Sequence, residues 1–195
     1  TRIGSSAASD VYKRQVCAAP GGKSILLQSL GFNVLAIDKS QNQINKFKEN
    51  LNRLKIKINI QKLDFLKNKF TDKFNSILLD APCSALGTFR RNPDVTVKID
   101  PSQIKKHQKT QIQMLEKSLK MLNNGGFLVY IVCSFHPFET IDVIDKIIQK
   151  HKNVKIHSIE TDKMIKRQNG YFINPLSFKD IGGSDIFFVS VIEKI

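Results

Sequence analysis

From Val16 onward, short β-branched apolar runs alternate with longer amphipathic stretches, and that alternation constrains the fold more than any other feature of the chain. The runs at 33–38 (NVLAID), 57–60 (KINI), 75–80 (NSILLD) and 126–133 (GFLVYIVC) read as buried strands of a mostly parallel sheet. Helical spacing marks 24–30, 41–54 and 101–122; in the last, Ile104, Ile112, Leu115, Leu119 and Leu122 share one face with lysines opposite. Pro101 and Ser102 open that helix, and 123–126 (NNGG) closes it. A further helix follows Pro137, and 185–195 (DIFFVSVIEKI) supplies a last strand. Strands alternating with helices predict an α/β fold, a doubly wound, mostly parallel Rossmann-like sheet with a final antiparallel strand. Ligands of such folds bind at the carboxyl ends of the strands.

Composition sets the outer bounds. A chain of 195 residues with 41% hydrophobic residues fits one domain with a substantial core. No stretch has the roughly 18–20 uncharged apolar residues that a membrane helix requires. Three cysteines make an odd set for a secreted disulfide framework, so a cytoplasmic monomer with free thiols is the simpler expectation. The net charge of +14 suits a polyanionic partner such as RNA, although a lysine-rich proteome would produce the same excess. The opening segment, 1–15 (TRIGSSAASDVYKRQ), is polar, rich in small residues and without apolar periodicity. It reads as a non-native scar joined at Val16, which makes 16–195 an N-terminally truncated catalytic domain.

Two ends of chemistry stand out. At the first, 16–24 (VCAAPGGKS) falls between the expected first strand and first helix. Its glycines and alanines let the backbone approach a ligand, and the helix start offers unpaired N–H groups. The next strand ends at Asp38, placed to accept from both hydroxyls of a ribose, or alternatively to serve as a turn or cap residue. Asp64 follows the third strand and Asp80 closes the fourth, completing a row of acids at strand ends. Neither GxGxxG nor GxxxxGK[ST] occurs, and acids without a phosphate cradle suit a cationic nucleoside such as S-adenosylmethionine.

At the second, two strands run into 80–94 (DAPCSALGTFRRNPD) and 133–140 (CSFHPFET). A free cysteine is commonly a small core residue. Cys83 and Cys133, however, each stand at a strand-to-loop exit beside a serine and near a proline, a setting for reactivity. A zinc site from Cys83, Cys133 and His136 is the alternative; no CxxC pair supports it, and the expectation is no metal. Arg90, Arg91 and Lys98 form a basic segment that would grip phosphates or simply be a solvated turn. His107 and His151 carry no specific expectation, and His136 is read as ordering the Cys133 loop.

Taken together, CAAPGGK, DAPCSALGTFRRNPD and the GG–strand–CS-x-HP block resemble the Sun-type (Fmu, RsmB-like) RNA cytosine-5 methyltransferases, especially the bacterial 16S rRNA members. The resemblance runs from Val16 to the C-terminus and implies a methyltransferase fold, S-adenosylmethionine as cofactor and RNA, namely rRNA, as partner. It implies that Cys17, Ala18, Ala19, Pro20, Gly21, Gly22 and Lys23 surround the cofactor, with Asp38 at the ribose and Asp64 by the adenine. Asp80 would lie near the methyl donor and target base, Cys133 would be the nucleophile, and Cys83 would assist product release.

The chain departs from the family pattern at several places. Gln15 stands where an acidic residue is usual, Val132 where Thr is usual, and Phe138 and Thr140 alter an acidic run of which Glu139 remains. SDIFF replaces the usual DGFF near the end. Two other functions stay open: a catalytically inactive RNA-binding or ribosome-assembly protein of the same fold, and a methyltransferase acting on tRNA, DNA or a small molecule. Pro82-Cys83 alone would fit a DNA enzyme.

Overall fold

A computed structural model describes residues 13–195. Of the expected scar segment, residues 1–12 therefore lie outside the described residues. The sheet begins with β1 (Lys13–Val16), which pairs in parallel with β2 (Val34–Asp38) on one side and β4 (Phe74–Asp80) on the other. β3 (Asn59–Lys62) extends the sheet beyond β2, and β5 (Leu122–Val132) lies parallel to β4. β9 (Phe187–Lys194) is antiparallel to β5, followed by β8 (Gly170–Ile173) and β7 (Ile165–Arg167), with short β6 (Val154–Ile156) pairing β9. The order β3-β2-β1-β4-β5-β9-β8-β7 reverses direction at β1, the switch point at which such sheets open a crevice.

The helices follow from local chemistry. α1 (Gly22–Ser29) starts directly after the 17–21 loop. In α2 (Gln41–Leu54), Ser40 caps the start by accepting from the Gln43 N–H, and Ile44, Phe47 and Leu51 form the buried stripe. A one-turn α3 (Asp94–Val97) precedes α4 (Pro101–Met121), where Asp100 accepts from the Ser102 N–H at 2.8 Å and Pro101 takes the position that needs no N–H donor. α5 (Ile141–Lys150) buries Val143, Ile144 and Ile147.

The core lies where α4 and α5 cover β4 and β5. Ile77, Leu79, Leu115, Leu128, Tyr130 and Val132 are all but inaccessible. Full burial of each such aliphatic side chain contributes about 1.5–3 kcal/mol. The sequence expected a turn at 123–126; instead β5 starts at Leu122, and its register against β4 shifts between Leu122 and Phe127, with Gly125 at φ 72°. β6, β7 and β8 were not expected, because runs of three or four residues carry too little periodicity to be read.

β1 is an expensive centre strand. Arg14 is 4% exposed, stacks on Phe70 and Phe74 at 4.8 and 4.5 Å, and reaches Asp72 at only 3.7 Å. Its Nε and Nη1, and Nε2 of Gln15, have no hydrogen-bond partner among the described residues. A buried cation so poorly paired costs more in desolvation than it recovers. Arg14→Met is accordingly expected to stabilise the chain by about 1 kcal/mol, read as a higher urea midpoint. A lower midpoint would mean that stacking on the two phenylalanines outweighs the desolvation.

Candidate active site

The parallel register of β1, β2, β4 and β5 brings their carboxyl ends to one edge of the sheet. At the β1 exit, Cys17 takes a left-handed conformation (φ 57°) and the Ala18 N–H donates to Ile37 O at 3.0 Å, which keeps the loop on the sheet. Gly21, at φ 104°, packs so closely on Phe47 that any Cβ would overlap the ring. A Cβ on Gly22 would meet nothing, so the face of the loop where α1 begins is open to a ligand.

Asp38 accepts from the Ala19 N–H at 3.2 Å and the Ser40 N–H at 2.9 Å. It thus performs the turn role foreseen as its other reading, while remaining half-buried beside the loop. Asp64 likewise accepts from Leu66 N–H at 3.0 Å and Lys67 N–H at 3.3 Å. Ser24 Oγ, fully buried, donates to Gln15 Oε1 at 2.7 Å and ties α1 to β1. Carboxylates at the ends of β2 and β4, with backbone N–H groups of a helix start, form a donor and acceptor set that fits a cationic nucleoside.

Asp80 joins this end to the cysteines. Lys23 Nζ donates to Asp80 Oδ2 at 2.8 Å. Burial holds the Asp80 carboxyl above its ordinary value, and Lys23 opposes that shift. Beyond it the two cysteine loops meet. Ala81 N–H donates to Ile131 O at 3.0 Å, Gly87 N–H to Cys133 O at 2.9 Å, and Gln111 Nε2 from α4 to Pro82 O at 2.9 Å. Gly87 is obligatory, since a Cβ there would overlap the Ile186 carbonyl.

The result is Sγ of Cys83 at 3.3 Å from Sγ of Cys133. The hydrogen bond between them pulls Cys133 below the ordinary thiol value, against its burial, and pushes Cys83 upward together with burial. Cys17 is pushed up to about 12 by burial and by Asp38 and Asp80. Of the three free thiols, Cys133 is therefore poised to be the thiolate.

A cavity of about 580 Å³ opens beside Cys83, between Arg91, Asn92, Lys98, Gln103 and His107. The structure thus gives His107 a place at the cavity that its lysine-rich helical setting did not signal. The basic residues are only partly available: Arg91 Nε pairs with Asp185 at 2.6 Å and Lys98 with Asp94 at 2.8 Å, whereas Arg90 is exposed. His136 accepts the Phe138 N–H on Nδ1 at 3.2 Å and so shapes the loop after Cys133. Among the described residues no three His, Cys, Asp or Glu side chains cluster to hold a metal ion. No described helix is long and apolar enough to cross a membrane.

A family model described as 16S rRNA methyltransferase RsmB/F matches residues 11–192. Ribosomal RNA small subunit methyltransferase B of Serratia proteamaculans is 34% identical over 79% of this chain and 37% of its own length. Its namesake in Photorhabdus laumondii is 32% identical over 92% of this chain and 41% of its own length. The chain thus spans about two fifths of the length of these relatives. Among solved structures, NSun6 from Pyrococcus horikoshii with SFG superposes with a TM-score of 0.80 at 28% identity, over 96% of this chain and 48% of that one. A methyltransferase homologue from the same organism gives 0.75 at 26% identity, over 95% of this chain and 62% of that one.

Alkylation by iodoacetamide at pH 8, mapped by mass spectrometry, is expected to modify Cys133 ahead of Cys17 and Cys83, because only the thiolate reacts and both of the latter are pushed upward. Lys23→Met should move the Asp80 and Cys133 titrations upward together, since Lys23 lowers both. Carbon NMR of Asp80 and the pH profile of Cys133 alkylation check the two shifts. Unmoved midpoints would show that the ammonium does not govern the site.

Proposed function

Since the chain belongs to the 16S rRNA methyltransferase RsmB/F family, we propose that it methylates C5 of cytosine in RNA, with 16S rRNA as the substrate. The observation that carries this reading is the thiol pair, Cys83 and Cys133 at 3.3 Å, set against the Lys23–Asp80 ion pair at the sheet edge. S-Adenosylmethionine, held by Cys17 to Lys23 with Asp38 at the ribose and Asp64 by the adenine, supplies an electrophilic methyl group when bound.

Cytosine C5 is too weak a nucleophile to react unaided. The Cys133 thiolate adds to C6 and gives C5 enamine character, so that C5 can accept the methyl group. Loss of the C5 proton to solvent water then expels the thiolate, whose C6–S bond breaks, and restores the aromatic ring. The low value of Cys133 supports its assignment as the nucleophile. Cys83, which retains its proton beside it, is placed to assist release. Asp80, with its carboxyl held up by burial, shares a proton with cytosine N3 and makes the ring more electrophilic.

A base must leave its stack to reach these groups. The cavity lined by Cys83 and Ser84, which Cys133 and Asp80 do not line, has room for a nucleotide flanking the target. Arg90 is available for a flanking phosphate; Arg91 and Lys98 would exchange Asp185 and Asp94 for one.

Transfer of tritiated methyl groups to 16S rRNA, tRNA and DNA tests the proposal. Cys133→Ala should abolish both transfer and covalent RNA adducts, whereas Cys83→Ala should accumulate an adduct that survives denaturing gels. The reverse pattern would exchange the two roles, and preferential methylation of tRNA or DNA would overturn the substrate assignment. Asp38→Ala should weaken cofactor binding by roughly tenfold through loss of charged hydrogen bonds, measured by calorimetry.

A further inference from the structure

Glu139 is fully buried, and nothing in the reaction proposed above requires it. It ends the single turn Pro137–Glu139 that follows the Cys133 loop. Its Oε1 accepts the Ser84 N–H at 2.8 Å, and its Oε2 accepts the hydroxyls of Ser84 at 2.5 Å and Ser134 at 2.6 Å. Those serines are the immediate neighbours of Cys83 and Cys133. Each hydroxyl in turn accepts a backbone N–H, Leu86 to Ser84 at 3.5 Å and His136 to Ser134 at 3.2 Å.

Glu139 is itself fixed from its own main chain. Its N–H donates to His136 O at 2.9 Å, and its carbonyl accepts from the buried Tyr130 hydroxyl at 2.7 Å. Its main chain is thereby tied to the Cys133 loop and to β5, and its side chain reaches across from there to Ser84 of the other loop.

Burying a carboxylate among neutral donors is costly, and among the described residues no cation pairs with this one. Joining two loops does not require a charge; serine hydroxyls or an amide could do so. A carboxylate differs in two ways. It accepts at every lone pair, so that all its contacts pull inward on both loops, and its negative field acts on nearby acids.

We infer that Glu139 is the positioning residue of the cysteine pair: it clamps both loops at thiol contact and makes Cys83 the donor and Cys133 the acceptor of their hydrogen bond. The field of Glu139 opposes ionisation of Cys83, which is consistent with that polarity. The other charged or titratable groups that face the pair are Asp80 from β4, Lys23 from α1 and Tyr130 from β5. Asp80 and Lys23 act on Cys133 in opposite senses.

The inference takes its significance from the cysteine chemistry proposed above, but its test reads the thiols without RNA. A failure of methyl transfer therefore leaves it standing, and the converse also holds. The 195-residue chain and its variants are alkylated with iodoacetamide, and the Cys83 and Cys133 peptides are quantified separately. Retention of phenylarsine oxide, which needs two thiols in contact, reports the spacing.

E139Q retains the shape and removes the charge, so the ratio of Cys83 to Cys133 alkylation at pH 8 should rise about threefold or more. A purely structural role would leave that ratio unchanged. Ser84→Ala combined with Ser134→Ala retains the charge and removes two of the donors; it should lower arsenical retention by roughly tenfold. E139A should show both effects, with circular dichroism and cofactor affinity establishing that it is folded. An unchanged ratio in E139Q, or unchanged retention in the serine double variant, overturns the inference. Loss of folding in all three variants overturns it too, because Glu139 would then serve the fold rather than the thiols.

Discussion

The contact between the Cys83 and Cys133 thiols exists because β4 and β5 run parallel in a register that sets Asp80 opposite Ile131. Parallel neighbours end on the same edge of a sheet, one strand spacing apart, so the residues that follow them emerge side by side. Antiparallel pairing would have sent the two loops to opposite ends. From that register follow the backbone bond from Gly87 to Cys133, the Gln111 bond to Pro82 and the convergence of Ser84 and Ser134 on Glu139. The core beneath, from Leu79 and Tyr130 to Leu115 and Ile144, holds the register by excluding any slip that would expose it.

Electrostatics at this edge run against the charge of the whole chain. The protein carries +14, yet the strand ends present Asp38, Asp64 and Asp80, with Lys23 paired to Asp80. Lys23 favours the ionised form of two groups at once, lowering both Asp80 and Cys133. Acids within a basic surface divide the molecule into a place for a cationic ligand and surroundings that favour polyanions. The ion pairs of Arg91 and Lys98 show that not all of the positive charge near the cavity is free.

Much of the architecture was legible because its signals are local. α2 falls at 41–54 as expected, since a serine cap and an i, i+3, i+7 stripe are written in adjacent residues. α4 ends one residue early, because Leu122 is drawn into the sheet beside Phe74. β1 was obscure: its centre carries Arg14 and Gln15, and no pattern rule assigns such residues to a buried strand. β6, β7 and β8 exist by pairing with strands distant in sequence, which a window of a few residues cannot register. His107 shows the same limit at the cavity, since it is one polar residue on a polar helix face until the 91–98 loop folds against it.

The sequence by itself determined the α/β alternation, the family, the row of acids at strand ends and the placing of Cys83 and Cys133 at strand exits. Those properties depend on residue type and spacing, which short-range sterics and hydrophobic periodicity translate directly into elements. Only the tertiary structure decided that the thiols touch, which of them is favoured as thiolate, that Lys23 bridges to Asp80 and that Glu139 lies under both cysteine loops. These are relations between residues some 50 positions apart, as with the 50 that separate Cys83 from Cys133. Distances and fields between such groups arise only when strand pairing and core packing have brought the segments together.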